Sequence, residues 1–209
     1  MAKILEIWML MKTFARALVP MAIVATVPAS AAAPSPDLAQ LKAHLSGVQT
    51  MTANFTQTDA RGRNASGTLQ MKRPGRIRFQ YGGGDLLLVA DGTRLTFLDY
   101  SVGQKSSWPL SRTPLGPLLS GSPDFNGKAE ILPSNDKRVV VARAKSAGQY
   151  GQLTLAFLRN ASAPGGLQLY GWTAIDPQNN RTTVKLSNVR FNTGVPDSAF
   201  TYDEPKKKR

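Results

Sequence analysis

Residues 71–81 read Met-Lys-Arg-Pro-Gly-Arg-Ile-Arg-Phe-Gln-Tyr, and this stretch decides the fold. Successive side chains of a strand point to opposite faces. Residues 76–81 alternate between polar and apolar side chains, which predicts a strand. Just before them, Arg73-Pro74-Gly75 predicts a turn, because proline lacks a backbone donor and glycine permits the angles that a turn needs. A guanidinium is thus placed at the rim of an apolar sheet face; the alternative is a half-buried strand of an ordinary sandwich with a surface arginine. The polar face carries Arg76, Arg78 and Gln80, and the apolar face carries Ile77, Phe79 and Tyr81.

The rest of the chain predicts one helix followed by many short strands. Asp37 can cap a helix whose apolar residues recur at helical spacing, and Gly47 stands near its end. Alternating apolar positions, separated by Gly, Pro, Asn and Asp turns, then predict an antiparallel meander. The helical apolar positions are Leu38, Leu41, Leu45 and Val48. The predicted strands are 51–56, 66–71, 76–81, 86–90, 94–99, 138–144, 151–158, 167–175 and 182–191.

The middle segment, residues 113–121, predicts a short and weak helix. Thr113 can cap it and Pro114 suits its first position. Gly116 and Pro117 weaken it, because an interior glycine costs about 1 kcal/mol and a proline about 3 kcal/mol relative to alanine. A loosely held apolar helix beside a sheet is what a movable lid requires. An ordinary connection that covers the core is the alternative.

The first 31 residues predict a secretory signal peptide. Two basic residues precede an apolar run, and Ala29-Ser30-Ala31 supplies the small residues that a signal peptidase needs. A transmembrane helix is disfavoured, because Pro20 and Pro28 interrupt a run shorter than the roughly 20 residues of a span. Translation can begin at Met1 or at Met11.

The expected mature chain is a single domain of residues 32–205. The sequence has no cysteine, so neither a lipid anchor on an N-terminal cysteine nor a disulfide can hold it, and core burial must do so alone. Its length suffices for a sizeable core. Residues 206–209, Lys-Lys-Lys-Arg, predict a disordered basic tail that either attracts an anionic surface or has no role.

The charge of the chain is strongly positive. It has 26 basic and 13 acidic residues, a formal net charge of +13 at pH 7. The basic residues are scattered along strands instead of forming a helix stripe, which disfavours a nucleic-acid partner. We therefore expect no nucleic acid, and an anionic membrane surface or an acidic protein as partner.

No pattern of catalytic residues emerges. His44, the only histidine, lies in the first helix without a nearby acid or nucleophile pattern, and we expect it at the surface or the rim. The acidic residues fall mostly in turns such as Asp91-Gly92 and Asp176-Pro177. The Gly82-Gly83-Gly84 run has no following Lys-Ser/Thr and does not open a helix, which argues against a phosphate loop. We expect no enzyme, no catalytic residue, no cofactor and no metal site.

Taken together, these residues resemble the outer-membrane lipoprotein carrier family, the LolA-like periplasmic chaperones. The matching stretches come in the family's order and cover nearly all of the expected mature chain. They are Phe55-Thr56-Gln57, the strand from Gly67 to Met71 running into Lys72-Arg73-Pro74, Arg78-Phe79-Gln80-Tyr81, Leu88-Val89-Ala90-Asp91-Gly92, Thr113-Pro114-Leu115, Trp172-Thr173-Ala174-Ile175-Asp176 and Phe200-Thr201-Tyr202.

The resemblance implies a mainly β fold with α: an unclosed antiparallel β-barrel, or half-barrel, with a helical lid over its apolar concave face. It implies a chaperone in the periplasm of a Gram-negative bacterium that binds the acyl chains of lipoproteins. An inner-membrane ATP-driven exporter would supply them, and an outer-membrane lipoprotein receptor, or the anionic membrane surface itself, would receive them. We expect a monomer.

The resemblance also implies a site. The family's functional arginine maps to Arg73, where it would bond to backbone carbonyls of the lid and hold the lid shut. The expected acyl contacts come from the sheet and from the lid: Phe55, Ile77, Phe79, Tyr81, Leu95 and Phe97, and Leu115, Leu118 and Leu119.

Two other functions stay open. A lipid-sensing periplasmic regulatory protein on the same half-barrel would bind a signalling protein instead of delivering cargo. A small outer-membrane barrel is disfavoured, because the strands are short and many carry charge at alternate positions without aromatic girdles.

Overall fold

A computed structural model of the protein describes residues 35–113, 115–121, 129–144, 152–176 and 178–206. The predicted signal peptide with its cleavage site lies outside the described residues, and so do residues 207–209 of the predicted tail. Lys206 is exposed. Within the described part of the chain, no helix is long and apolar enough to cross a membrane.

Helix α1 spans Pro36–Gly47 and begins one residue before its predicted cap. Ser35 is the N-cap, and its hydroxyl oxygen accepts a hydrogen bond from the backbone N–H of Leu38 at 3.3 Å. The proline next to it fits the first helical turn, where a missing N–H leaves no bond unmade. Asp37, the predicted cap, lies inside the first turn, where its charge complements the helix dipole. The helix buries Leu41 and His44.

Eleven strands and a second short helix follow in the described residues. The helix, α2, spans Leu115–Leu119 and follows a 3-10 turn at Leu110–Arg112. Three strands have the predicted bounds and the others differ by one or a few residues, apart from two that the sequence did not predict. The strands are β1 (Thr50–Thr58), β2 (Asn64–Lys72), β3 (Arg76–Tyr81), β4 (Leu86–Asp91), β5 (Arg94–Asp99), β6 (Gln104–Pro109), β7 (Ala129–Leu132), β8 (Val139–Ala144), β9 (Gln152–Arg159), β10 (Leu167–Ile175) and β11 (Arg181–Phe191).

The strands form one antiparallel sheet in the order β6-β5-β4-β3-β2-β1-β11-β10-β9-β8-β7. Each neighbour follows in the chain, except that β1 pairs with β11. The edge strands β6 and β7 do not pair with each other in the described residues, so the sheet stays unclosed. The predicted half-barrel is confirmed.

The strand register collects apolar side chains on one face of the sheet. Leu69 of β2 lies opposite Ala53 of β1 and Phe79 of β3, and the row continues through Leu88 of β4 to Phe97 of β5. Because a one-residue slip would turn every side chain to the other face, this register is fixed by burial of the row. Helix α1 and α2 cover the apolar face.

The sheet curves strongly around this face. Phe79 and Trp172 stand on β3 and β10, which are four places apart in the sheet. On a flat sheet they would be roughly 19 Å apart, because neighbouring strands lie about 4.8 Å apart. Their ring centroids are only 5.9 Å apart, in edge-to-face contact. The apolar face is therefore concave, as the half-barrel requires.

The outer face of the sheet is covered on one side by the chain's own C-terminal segment. Val195 and Phe200 are buried and pack on three outward residues of β4 and β5. The guanidinium of Arg78 donates to the backbone carbonyls of Ala199 and Thr201, at 3.3 and 2.9 Å. The covered residues are Leu87, Val89 and Leu98.

The sequence did not predict the two edge strands, β6 and β7. The sequence of β6, Gln-Lys-Ser-Ser-Trp-Pro, lacks apolar alternation, and β7 has only four residues. Both are strands because a neighbour supplies hydrogen bonds: β5 pairs with β6, and β8 pairs with β7. Tertiary pairing overrides the weak local preference of such segments.

Candidate functional site

An apolar cavity lies between the concave face of the sheet and the two helices. Its volume is about 80 Å³. Two polar side chains, His44 and Arg73, line it together with apolar ones from α1, α2 and strands β1, β2, β3, β9 and β10. The other lining residues are Leu45, Val48, Met51, Leu69, Met71, Ile77, Phe79, Leu115, Leu118, Leu119, Leu153, Leu155, Phe157, Leu169 and Trp172.

The lid, which we define as α2 with Ser120 and Gly121, closes one side of the cavity. Such a short helix containing a glycine has little stability of its own, because helix nucleation is costly and interior glycine adds about 1 kcal/mol. Tertiary contacts therefore hold it: Leu118 and Leu119 are buried, and the carbonyl of Leu119 accepts a hydrogen bond from the N–H of Gly75 at 2.8 Å.

Arg73 joins the lid to α1. It lies in the turn between β2 and β3 and is only 8% exposed. Its Nε donates to the carbonyl of Val48 at the C-terminal end of α1, at 2.8 Å, and its guanidinium also donates to the carbonyl of Ser120 in the lid. The planar guanidinium can serve both carbonyls at once, which a lysine ammonium cannot do with the same fixed geometry.

The charge of Arg73 is buried, with carbonyl oxygens as its described partners. Burial lowers the pKa of Arg73 to about 10, so the side chain remains protonated at neutral pH. A buried charge needs hydrogen bonds to be tolerated. The bonds to Val48 and Ser120 meet that need, and the bond to Ser120 can form only while the lid lies where it does.

His44 is buried, and the prediction of a surface or rim histidine was wrong. It is 3% exposed, because it shares the inward stripe of α1 with Leu41 three residues before it. Its ring lies between Phe157 and Phe191, with centroids 5.4 Å from each. Nδ1 is 2.8 Å from the carbonyl of Pro164, so that nitrogen carries the proton and donates. Burial lowers the pKa of His44, and the side chain is neutral at pH 7.

Five of the nine predicted acyl contacts line the cavity, and Arg73 lines it with them. They are Ile77, Phe79, Leu115, Leu118 and Leu119.

The other four predicted contacts, Phe55, Tyr81, Leu95 and Phe97, are not among the lining residues. Phe55 is 1% exposed and its ring packs on Phe79 and Tyr81, with centroids 5.5 and 5.1 Å apart, so it lies beside the cavity on the same concave face. The hydroxyl of Tyr81 donates to the side-chain oxygen of Gln57. Leu95 and Phe97 lie on β5, near one edge of the sheet.

The residues of the opposite wall of the cavity were not predicted from the sequence. β9 and β10 contribute lining residues, and none of them was predicted, although both strands were. The alternation of Leu153, Leu155 and Phe157 was a usable signal for an inward face, but the sequence does not tell which strands curl back to face the lid. The missed residues on these two strands are Leu153, Leu155, Phe157, Leu169 and Trp172.

The lining of the cavity is apolar apart from two side chains. Among the residues that the structure describes, no group of three or more His, Cys, Asp or Glu could hold a metal ion. The polar lining consists of one neutral imidazole and one guanidinium, each hydrogen-bonded to backbone carbonyls. Such a lining favours apolar groups over charged ones.

The sequence of the chain matches a known family. The family model described as "Outer membrane lipoprotein carrier protein LolA" matches residues 46–203. The chain belongs to the LolA family. The match covers all eleven strands, the lid and Arg73, and it supports a role as a lipoprotein carrier.

Curated members of the LolA family are similar along most of the chain. The outer-membrane lipoprotein carrier protein of Chromobacterium violaceum is 30% identical over 207 residues, which are 90% of this chain and 95% of that protein. The one from Legionella pneumophila strain Lens is 29% identical over 182 residues, 79% of this chain and 85% of that protein.

Two solved structures are similar at low identity. A LolA superfamily protein from Nitrosomonas europaea has 12% identity and a TM-score of 0.46, with 79% of this chain and 97% of that chain covered. An uncharacterized conserved protein from Thermus thermophilus has 9% identity and a TM-score of 0.49, with 82% and 94% covered.

Proposed function

We propose that the protein is a periplasmic chaperone that binds the acyl chains of lipoproteins released from the inner membrane and delivers them to the outer membrane. The observation that carries this proposal is the cavity itself, which is apolar, lies under a weakly built lid, and belongs to a member of the LolA family. The partners proposed are an inner-membrane ATP-driven exporter and, at the outer membrane, a lipoprotein receptor or the anionic surface. No chemical step is needed.

The energetic demand on such a carrier is large. Burial is worth about 0.8 kcal/mol per methylene, so one chain of about 15 carbons loses on the order of 12 kcal/mol when exposed to water. An apolar concavity offsets that cost during passage through an aqueous compartment. Its walls bind through shape and apolarity alone, so release requires competition from another apolar environment.

The size of the cavity requires the lid to move. A cavity needs about 10 to 15 Å³ of accessible volume for each water-sized group such as a methylene, so the cavity of about 80 Å³ has room for roughly five to eight of them, fewer than the roughly 15 carbons of one acyl chain. A whole acyl chain enters only if the lid leaves its position. Arg73 is proposed as the clamp, because its two carbonyl partners lie on α1 and on the lid.

The acyl-binding residues proposed are the sheet and lid residues that line the cavity. Ile77, Phe79, Leu115, Leu118 and Leu119 form one wall and the lid, and the missed residues of β9 and β10 form the other wall. Phe55, Tyr81, Leu95 and Phe97 extend the apolar concave face, and we propose that they meet an acyl chain once the lid has opened.

A cavity-filling variant tests the function. Leu115 is half-buried on the lid and lines the cavity. Leu115→Trp adds several heavy atoms to a space with room for roughly five to eight methylenes, without adding a charge. We expect it to fold and to extract little lipoprotein from inner-membrane vesicles that carry the exporter. Val102→Trp, at an exposed turn, is the matched control and extracts normally. Equal extraction by both variants would contradict the assignment of the cavity.

A further inference from the structure

Strand β11 carries three basic side chains on the outer face of the sheet, which we call the β11 stripe: Arg181, Lys185 and Arg190. The register shows their direction. Lys185 lies opposite Thr56 and Arg190 opposite Thr52, and these two β1 residues alternate with the buried residues of β1. Arg181 comes four residues before Lys185 and so shares its face. The stripe extends over roughly 30 Å, because nine residues of strand rise about 3.3 Å each.

The β11 stripe is exposed and positively charged. None of its three side chains forms an ion pair with a described residue. Their cross-strand neighbours are uncharged: Thr52, Thr56, Gly171 and Ile175. Elsewhere many basic residues pair with carboxylates. Those that pair are Arg63, Lys72, Arg76, Lys105, Arg138, Arg143 and Arg159.

An apolar area flanks the β11 stripe on the same face. The outward residues of β8 and β9 alternate with buried ones, are only half-buried themselves, and belong to none of the three apolar clusters. Tyr170, the extra residue of a bulge in β10, is 43% exposed. The C-terminal segment covers the equivalent area over β4 and β5, but packs on none of these residues. We call this area the outer patch: Val139, Val141, Ala156, Leu158 and Tyr170.

We propose that the β11 stripe and the outer patch together form a surface that docks the protein on an anionic phospholipid bilayer. Cations close to such a bilayer are attracted by its negative surface potential, by about 1 kcal/mol per Lys or Arg. Tyrosine favours the interface between head groups and hydrocarbon. Both features lie side by side on one face.

The shape of the sheet favours a bilayer over a shaped protein partner. A convex sheet meets a plane along its central strands, and β11 is seventh of eleven in the sheet order. The stripe therefore lies near the ridge of the outer face, where a flat surface makes first contact. The described cross-strand neighbours of the stripe carry no charge. The acidic residue closest to it in sequence, Asp176, accepts hydrogen bonds within its own turn, from Gln178 and Asn180. A second copy of the chain is disfavoured, because two such stripes would repel.

Docking by the outer face has a consequence for the carrier. The cavity and lid lie on the concave face, so the docked protein keeps them turned away from the bilayer. Docking would then hold the carrier at the membrane without inserting cargo, and would raise its effective concentration near a membrane-held partner. This inference rests on the proposed function in one respect only: a periplasmic carrier of lipoproteins works next to membranes.

Vesicle binding tests the proposal directly. The protein, with no cargo, is mixed with vesicles of phosphatidylcholine alone or with phosphatidylglycerol added, at low and high salt, and binding is measured by flotation. The stripe variant carries Arg181→Gln, Lys185→Gln and Arg190→Gln.

The matched control loses the same charge at three other exposed basic residues with no described ion pair: Arg61→Gln, Arg112→Gln and Lys137→Gln. A chain ending at residue 205 measures the contribution of the basic tail.

We expect the wild-type protein to bind only the anionic vesicles, and less at high salt. Each cation near the surface is worth about fivefold in binding, so the stripe variant should bind roughly 100-fold more weakly. The control variant should keep most of its binding, and Tyr170→Ser should weaken binding without changing its salt dependence. Equal loss in the stripe and control variants, or no binding by the wild type, would overturn the proposal.

Cargo uptake separates this proposal from the function itself. The stripe variant should take up an acylated peptide as the wild type does, because the outer face of β11 does not line the cavity. Loss of uptake together with loss of vesicle binding would overturn the assignment of the stripe as a separate surface. A Leu115→Trp variant that binds vesicles normally and takes up no peptide would support both proposals independently.

Discussion

Replacing Arg73 with leucine should release the lid. The guanidinium gives one hydrogen bond to Val48 and one to Ser120, and only the second reaches the lid. A hydrogen bond to a charged group contributes about 1.5 to 3 kcal/mol, so the free energy of lid opening should fall by about that amount. At 1.4 kcal/mol per factor of ten, the lid should then open about 10- to 100-fold more often.

Hydrogen exchange at the Gly75 amide measures this opening. That N–H donates to the carbonyl of Leu119, so it exchanges when the lid lifts. We expect it to exchange about 10- to 100-fold faster in Arg73→Leu, while amides in the centre of the sheet are unchanged. Arg73→Lys keeps the charge but lacks the planar guanidinium that donates to both carbonyls, and should give an intermediate exchange rate. The same Gly75 rate in Arg73→Leu and the wild type would refute the coupling of Arg73 to the lid.

The same variant should fail at release of cargo. Leucine supplies an apolar side chain to the cavity and removes part of the gain from returning to the closed lid. Lipoproteins should be accepted as well as before and handed poorly to outer-membrane vesicles, so that they accumulate on the soluble carrier. Wild-type transfer efficiency in a pull-down and transfer assay would contradict the clamp.

Two further predictions concern stability. His44 has a pKa below its unfolded value of 6.5, so the unfolded state binds more protons, and the unfolding free energy should fall as pH drops below about 6.5. Urea unfolding at pH 7.5 and 5.5 measures the difference in unfolding free energy between the two pH values. His44→Asn, which keeps a donor for the carbonyl of Pro164, should make this difference smaller. The same difference in His44→Asn and the wild type would exclude His44 as its source. Gly75 has φ +73° and an added Cβ would lie 2.7 Å from Gly92, whereas Gly83 has φ +92° with open space around it. Gly83→Ala should therefore lower the unfolding free energy only by the strain of the left-handed backbone, about 1 to 2 kcal/mol, and Gly75→Ala should lower it clearly more. Equal melting temperatures of the two variants would contradict the close approach of Gly75 to Gly92.

Much of the sheet was predictable from residue patterns. Strands such as Arg76–Tyr81 and Arg94–Asp99 alternate apolar and polar residues, and both have the predicted bounds. The edge strand Gln104–Pro109 has no alternation, and its hydrogen bonds come from a neighbour that no local pattern shows. His44 was misjudged because its polarity outweighed its place on the buried stripe of α1, three residues after Leu41.

Part of the candidate site was predictable, because Arg73, Ile77 and Phe79 lie close together in the sequence. The opposite wall could not be predicted, because its position depends on the curvature of the sheet. Trp172 meets Phe79 only because the sheet curls between β3 and β10, and the curl results from twist and packing summed over the whole sheet. Phe55 could not be told from a lining residue, because it lies on the same concave face and shares the alternation of the residues that line the cavity.

Photocrosslinking from inside the cavity tests the central claim most directly. A benzophenone side chain replaces Trp172, which lines the cavity, or Tyr170 two residues earlier, which is exposed and serves as the control. Each variant is irradiated during transfer with an acylated lipoprotein or with the same protein lacking its acyl chains. We expect the variant with benzophenone at position 172 to form an adduct with the acylated lipoprotein, and the variant at position 170 to form none. Neither variant should form an adduct with the unacylated protein. Equal adducts from positions 170 and 172, or adducts that do not depend on acylation, would contradict the central claim.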